Sequence, residues 1–419
     1  MRYHMTAIAA LVASATVATA QQSEIRIVGV QPTEGQSMLY GKVEQDFEAA
    51  HPEIDVIFEY YAGEAYKSKL PTLLQSNTRP DIFFSWGGET LVDQVEAGFT
   101  RPIGDEIEAA VLESFPQAAL EAYTVNGDLV GLPLFARAVV LWTNTALTGA
   151  AGVDHTQIET WDDFLAAVRQ LKEADITPII AGGQDKWPLN FYWSYLVLRE
   201  GGPTVIPDAM AGAGEGFESA PFAAAGRDMR ELVALDPFQP GFMATTADNA
   251  SGLFGDGKGA FHFMGDWDYS VARDRSSSGE GVPDEDLAML SFPVIADPVA
   301  EGGGSAVLGG INGWVASNDA SPEAVAFLAF MIGEEYQRFA AEEDIFIPVV
   351  EGARSAIANP FKREVAQMIS ESDTFQVFLD QYLGASVGAT VNDVSADLAQ
   401  GAITPEEGAA QIQEAWDFR

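Results

Sequence analysis

Between Ile25 and Ala97 the apolar pattern switches repeatedly between short continuous runs and one-sided helical spacing, which fixes the class of fold. Ile25-Arg26-Ile27-Val28-Gly29-Val30 reads as a buried strand. A helix is predicted from Met38 to Ala50, with Leu39, Val43 and Phe47 on one face at i, i+4 and i+8. Val56-Ile57-Phe58-Glu59-Tyr60 follows as a second strand, and the next helix turns Tyr66, Leu70, Leu73 and Leu74 inward. Asp81-Ile82-Phe83-Phe84 is a third strand, and Leu91 to Ala97 a third helix. Strand–helix–strand units of this spacing imply an α/β fold with a parallel sheet flanked by helices. Ligands of such sheets bind beyond the C-terminal ends of the strands. Those ends are Gln31 to Glu34, Tyr61 to Glu64 and Ser85 to Glu89.

Beyond residue 130 the pattern begins again. Leu132 to Asn144 is one extended apolar segment, longer than an ordinary strand. Thr160-Trp161-Asp162-Asp163 forms a capping box, opening a helix that buries Phe164, Leu165, Val168 and Leu171. Thr177 to Ala181, Gly259 to Met264 and Asp286 to Phe292 are strand candidates, and the last third reads as helical. Ser321-Pro322-Glu323 and Thr404-Pro405-Glu406-Glu407 are helix starts with proline at the first position. No Pro-rich linker separates the two halves, as expected when several strands cross between them.

The N-terminus reads as an export signal over residues 1–20: Arg2, an apolar stretch from Ala7, then small residues at Ala18-Thr19-Ala20. No later stretch reaches the length of a spanning helix, so the mature chain is expected not to be membrane-embedded. There is no cysteine, which excludes disulfides, zinc–thiolate sites and thiol catalysis. With 22 Lys and Arg against 62 Asp and Glu, the formal net charge of −40 repels nucleic acid and anionic lipid. Cofactor motifs fail one by one. Gly252-Leu253-Phe254-Gly255-Asp256-Gly257-Lys258 imitates a phosphate-cradling loop, but Gly259 stands where the magnesium-holding hydroxyl belongs, and the segment precedes a strand. His4, His51, His155 and His262 are scattered without metal-ligand spacing. Neither a cofactor nor a metal is expected.

What remains is an unusual placement of tryptophan. Three of the eight tryptophans sit among glycines and small polar residues at the ends of apolar runs. These are Ser85-Trp86-Gly87-Gly88, Gly265-Asp266-Trp267 and Gly309-Gly310-Ile311-Asn312-Gly313-Trp314. Each could anchor a core near a turn. Together they suit a cleft, where glycine admits a close approach, an indole face takes apolar C–H surface, and Ser, Asp or Asn takes hydroxyls. A sugar combines those needs. A cage for a quaternary amine would use the same rings with acids, and a glycosidase would use two of the many carboxylates.

Several motifs occur in a distinctive order. After the export signal and first strand come His51-Pro52-Glu53-Ile54-Asp55-Val56, Pro80-Asp81-Ile82-Phe83-Phe84 and Leu129-Val130-Gly131-Leu132-Pro133. Trp142-Thr143-Asn144, Thr160-Trp161-Asp162-Asp163-Phe164, Gly257-Lys258-Gly259-Ala260-Phe261, Gly265-Asp266-Trp267 and Gly309-Gly310 to Trp314-Val315-Ala316 follow. This order resembles the periplasmic solute-binding proteins of bacterial ABC importers, in the carbohydrate-binding group related to maltose- and oligosaccharide-binding proteins. The resemblance implies two α/β lobes joined by crossing segments that close on a ligand. It places the crossings near Phe135–Val139, Ser291–Ile295 and Gly313–Ala316. The lobes would then be residues 23–134 with 292–313, and 135–291 with 314–419. The implied partners of this expected monomer are a mono- or oligosaccharide and a membrane permease. Trp86 is the expected platform of the first lobe, facing Trp267, with Glu34, Glu64 and Ser85 as polar neighbours. Trp187, Asp266, Gly309, Gly310, Asn312, Trp314 and Phe346 complete the expected site, and Arg137 is either a ligand donor at the hinge or half of a structural ion pair. Trp187 is preferred to Trp193, whose neighbours read as a packed helix; Trp142, Trp161 and Trp416 are expected in the core.

Overall fold

The computed structural model describes residues 22–300 and 303–419; the expected export signal lies outside the described residues. Ten strands form one hydrogen-bonded sheet: β1 (Ser23–Val30), β2 (Ile54–Tyr61), β3 (Ile82–Ser85), β4 (Gly131–Asn144), β5 (Ile179–Ile180), β6 (Phe261–Gly265), β7 (Leu287–Leu290), β8 (Val307–Ala316), β9 (Ile347–Pro348) and β10 (Phe375–Val377). The order along the sheet is β2-β1-β3-β8-β4-β6-β5, with β7 and β9 attached to β4 and β10 to β8. β1 runs parallel to β2 and β3, the connections being supplied by α1 (Glu34–Ala50) and α2 (Gly63–Gln75). The other helices that matter below are α3 (Gly88–Glu96), α4 (Trp161–Glu173), α5 (Trp187–Gly201), α6 (Ala220–Val233), α7 (Ala247–Gly255), α8 (Asp268–Arg275), α9 (Pro322–Ile332), α10 (Glu334–Glu342), α11 (Pro360–Glu371), α12 (Gly384–Gln400) and α13 (Pro405–Asp417). No helix among the described residues is long and apolar enough to cross a membrane.

Local chemistry sets the helix starts. Thr33 and Gln36 form a reciprocal capping box that begins α1 four residues before the predicted start at Met38, so Glu34 is helical rather than part of a loop. Thr160 with Asp163, and Thr404 with Glu407, form the capping boxes read from the sequence. The length of β4 has a topological cause. Gly131 to Pro133 pair with β8 in the first lobe, Phe135 to Ala138 pair with β8 across the junction, and Val139 to Thr143 pair with β6 in the second. One strand therefore belongs to both lobes, and all fourteen of its residues are buried.

The other two crossings lie later in the chain than expected. Residues 292–300 and 303–306 pack against the second lobe. Phe292 stacks on Trp161 at 5.5 Å and on Tyr195 at 4.7 Å. The Arg199 guanidinium donates to the carbonyls of Phe292, Pro293, Gly303 and Ala306. The return to the first lobe is made by β8 itself: Val307–Gly309 pair with β10, whereas Gly313–Ala316 pair with β3. The chain then stays in the first lobe through α9 and α10. There Phe327 and Phe330 pack on Phe47 of α1, and Tyr336 donates to Asp46. It crosses back at β9, which pairs with Phe135 and Ala136 in the middle of β4. Between the β3 pairing of β8 and the β4 pairing of β9, α9 packs on the first-lobe helix α1 and α10 hydrogen-bonds to it.

Candidate functional site

The strand ends bring three half-buried indoles to the junction. In the first lobe, Trp86 follows β3 and meets Tyr66 at 5.6 Å and Phe84 at 5.0 Å, both edge to face. Its chain reverses through Gly87 and Gly88, at φ values of 75° and 69° that favour glycine. A side chain at Gly88 would lie 2.6 Å from the Gln381 carbonyl oxygen, so this turn rests directly on the segment that follows β10. Ser85 is buried, and its hydroxyl accepts from the Gly87 N–H, so it shapes the turn.

In the second lobe, Trp267 follows β6 and lies 6.4 Å from Trp187, 6.3 Å from Phe191 and 6.1 Å from Phe378, all ring centroid to centroid. Trp187 and Trp267 are half-buried, whereas Trp193 is 1% exposed in the core. Trp86 and Trp267 do not touch. The segment Phe378–Gln381 lies between them: Phe378 meets Trp267, and Asp380 takes an ion pair at 3.1 Å from Lys67, whose ammonium is 5.7 Å from the Trp86 ring centroid. Glu64, exposed at the start of α2, pairs with the same ammonium at 3.1 Å. Burial works to lower the pKa of Lys67, but Asp380 and Glu64 outweigh it and hold the ammonium above the usual lysine range.

The floor is made by the crossing strands. Asp266 accepts from Arg137 at 2.8 Å and from the Ala138 N–H at 3.0 Å, with both charged side chains almost wholly buried. Arg137 is therefore half of an ion pair that ties β4 to the loop carrying Trp267. Asn312 is 6% exposed, and its side-chain oxygen accepts no hydrogen bond among the described residues. A buried acceptor left open costs about 1–3 kcal/mol, a cost that a ligand hydroxyl would remove.

Trp314, Phe346, Gly309 and Gly310 lie against protein groups. Trp314 is 1% exposed and packed in the first lobe among Tyr40, Phe58 and Phe84, with Gly29 cut away beneath its ring. The apolar run Trp314-Val315-Ala316 was the sign of that interior position. Phe346 is wholly buried against Phe135 at 5.0 Å. Gly309 and Gly310 make room for protein groups: a Cβ at Gly309 would meet the Arg137 carbonyl oxygen and the Phe375 ring, and one at Gly310 the Phe378 ring. Glu34 is exposed, and its backbone N–H faces the Asp274 carboxylate of α8 across the lobes. Lys67, Phe378, Asp380 and Gln381 were not foreseen, because only the fold brings a lysine of α2 and a C-terminal loop to the same tryptophan. Among the described residues no cluster of His, Cys, Asp and Glu could hold a metal ion. Two surface grooves of about 390 Å³ each lie elsewhere, one between α1 and β2, the other between α6 and α13.

Comparison with known proteins gives this geometry its context. An uncharacterized ABC transporter extracellular-binding protein of Pyrococcus horikoshii is 24% identical over 263 residues, 61% of this chain and 58% of its own length. A probable sugar-binding periplasmic protein of Mesorhizobium japonicum is 27% identical over 237 residues, 55% and 54% of the two chains. The chain thus spans less than two thirds of the length of these relatives. A solved chitin oligosaccharide binding protein superimposes with a TM-score of 0.84 at 23% identity, over 95% of this chain and 99% of that one. The family model for bacterial extracellular solute-binding proteins matches residues 30–338, most of the chain, and the solved structure shares its fold, so this chain belongs to that family.

Proposed function

We propose that this protein captures a neutral mono- or oligosaccharide between its lobes and presents it, in the periplasm, to the membrane permease of an ABC importer. The reading rests on one observation above the rest: half-buried indoles follow strands of both lobes, Trp86 in one and Trp187 with Trp267 in the other, and Asn312 on the strand that joins the lobes is buried with an open acceptor. Indole faces take the C–H faces of a sugar, and Asn312 takes a hydroxyl. Micromolar capture needs about −8 kcal/mol, which two or three stacked rings and several hydrogen bonds can reach. The relatives named as sugar-binding and as chitin oligosaccharide binding support the same class of ligand.

Because the Trp86 turn rests on Gln381 and Lys67 reaches Asp380, the junction is packed, and a ligand enters as the lobes part. Closure around it then selects the form that a permease distinguishes from the open one. Lys67 also argues against a quaternary amine, since a cation already sits beside Trp86. Asp266, beside Trp267 in the chain, and Asp380, paired with the Lys67 ammonium near Trp86, are each committed to a cation at 2.8 Å and 3.1 Å, which supports capture without turnover.

Thermal melting against chito- and malto-oligosaccharides, simple hexoses and betaine-like amines tests the reading, because stabilisation grows with ligand concentration over dissociation constant. A raised Tm with at least one sugar, none with amines, and unchanged sugar after prolonged incubation is expected. Stabilisation by amines alone, or release of shorter sugars, would replace this proposal.

A further inference from the structure

Trp267 is held by its neighbours on both sides. Asp266, before it, is tied to Arg137 at 2.8 Å and to the Ala138 N–H at 3.0 Å. Asp268, after it, accepts from the Ser251 hydroxyl at 2.5 Å and faces the His262 ring nitrogen at 3.3 Å, all three groups being buried. The backbone through Trp267 is thereby pinned to β4, β6 and α7. Only the side-chain torsions remain, and these are limited by one residue. A Cβ built on Gly265 would lie 1.9, 2.1 and 2.2 Å from three adjacent carbons of the Trp267 six-membered ring. Near-equal distances to three adjacent carbons place that carbon over the face of the ring. The indole lies flat on the Gly265 backbone, in space that no other amino acid leaves free.

Gly265 does not require glycine for its own conformation, because it has no positive φ and pairs in register with Val139 at the end of β6. Its carbonyl oxygen accepts from Trp142 at 3.0 Å, a bond that an alanine backbone would keep. The three atoms nearest to a methyl group there all belong to the Trp267 ring, which would have to move on the order of 1.5 Å to reach ordinary carbon–carbon contact. We propose that Gly265 is the positioning residue that sets the tilt of Trp267, and through it the range of sugars the cleft accepts. This rests on the sugar-capture reading, in which Trp267 touches ligand.

The test is a double-mutant cycle on the full mature chain with Gly265→Ala, Trp267→Ala and both together, titrated calorimetrically with the sugars of the melting panel. Gly265→Ala is expected to weaken the best sugar at least tenfold and to reorder the panel. In the Trp267→Ala background it is expected to change affinity less than twofold. Equal losses in both backgrounds, or wild-type affinity in Gly265→Ala, would overturn the proposal while leaving sugar capture intact. Wild-type affinity in Trp267→Ala, or no binding by the wild type, would instead overturn the reading beneath it. A ligand-free measurement keeps the positioning claim testable in either case. With 5-fluorotryptophan incorporated, the fluorine resonance lost in Trp267→Phe is the one expected to move in Gly265→Ala, and an unmoved resonance contradicts the claim.

Discussion

Arg137 and Asp266 show how a single pair can serve the fold and the site together. Both side chains are almost wholly out of water, at 5% and 1% exposure, so removing one partner leaves the other charge without compensation. Arg137→Met or Asp266→Asn is therefore expected to cost about 3–5 kcal/mol, read as a fall in the urea midpoint, and to weaken sugar binding because the Trp267 loop loses its tie. Replacing both with apolar residues is expected to recover much of the stability and little of the binding. At this scale the sequence told packing from cleft unevenly. It separated Trp187 from Trp193 by the apolar neighbours of the latter. It did not separate Trp314 from Trp86, because both follow glycine-rich text and differ only in what the fold lays over them. Lys67 carried no mark at all: its meaning comes from Trp86 beside it and from Asp380, 313 positions away.

Elements were more legible than contacts, since capping chemistry is local and crossing topology is not. The Thr160–Asp163 and Thr404–Glu407 boxes are written in four consecutive residues each. Nothing local in Phe292 or Pro293 says which lobe they pack against; Arg199 and Trp161, far away in the chain, decide it. Helix α1 offers a paired check. Gly41 lies inside it with nothing within 4 Å of a would-be Cβ, so Gly41→Ala is expected to raise stability by about 0.5–1 kcal/mol. Thr33→Ala, which removes the N-cap, is expected to lower it by about 1 kcal/mol. Chemical denaturation of the two variants measures both.

A second element-level prediction concerns α6, where Asp228 lies beside Glu200 at the end of α5. Burial, then the Glu200 carboxylate and Glu231, push the Asp228 carboxyl up to about 8. In the unfolded chain it titrates near the ordinary value of about 3.9, so the folded state holds the extra proton between those limits. Its contribution to stability is full below the lower limit and is lost as pH rises through the upper one. The Tm of the wild type is therefore expected to fall relative to Asp228→Asn as pH rises from about 4 to about 8. Parallel pH profiles for the two proteins would contradict that assignment.

For the whole molecule, the strand–helix alternation of the first hundred residues identified the α/β class, and the order of motifs identified the family. The site was only half legible, because a cleft between lobes is assembled from segments that share no local pattern. In the proposed function, indoles of both lobes take hold of one neutral sugar. Titration calorimetry of the wild type, Trp86→Ala and Trp267→Ala with the sugar that most raises the Tm tests this directly. Saturable one-to-one binding by the wild type, weakened at least tenfold by either substitution, is the expected result; undiminished affinity in either variant would contradict it.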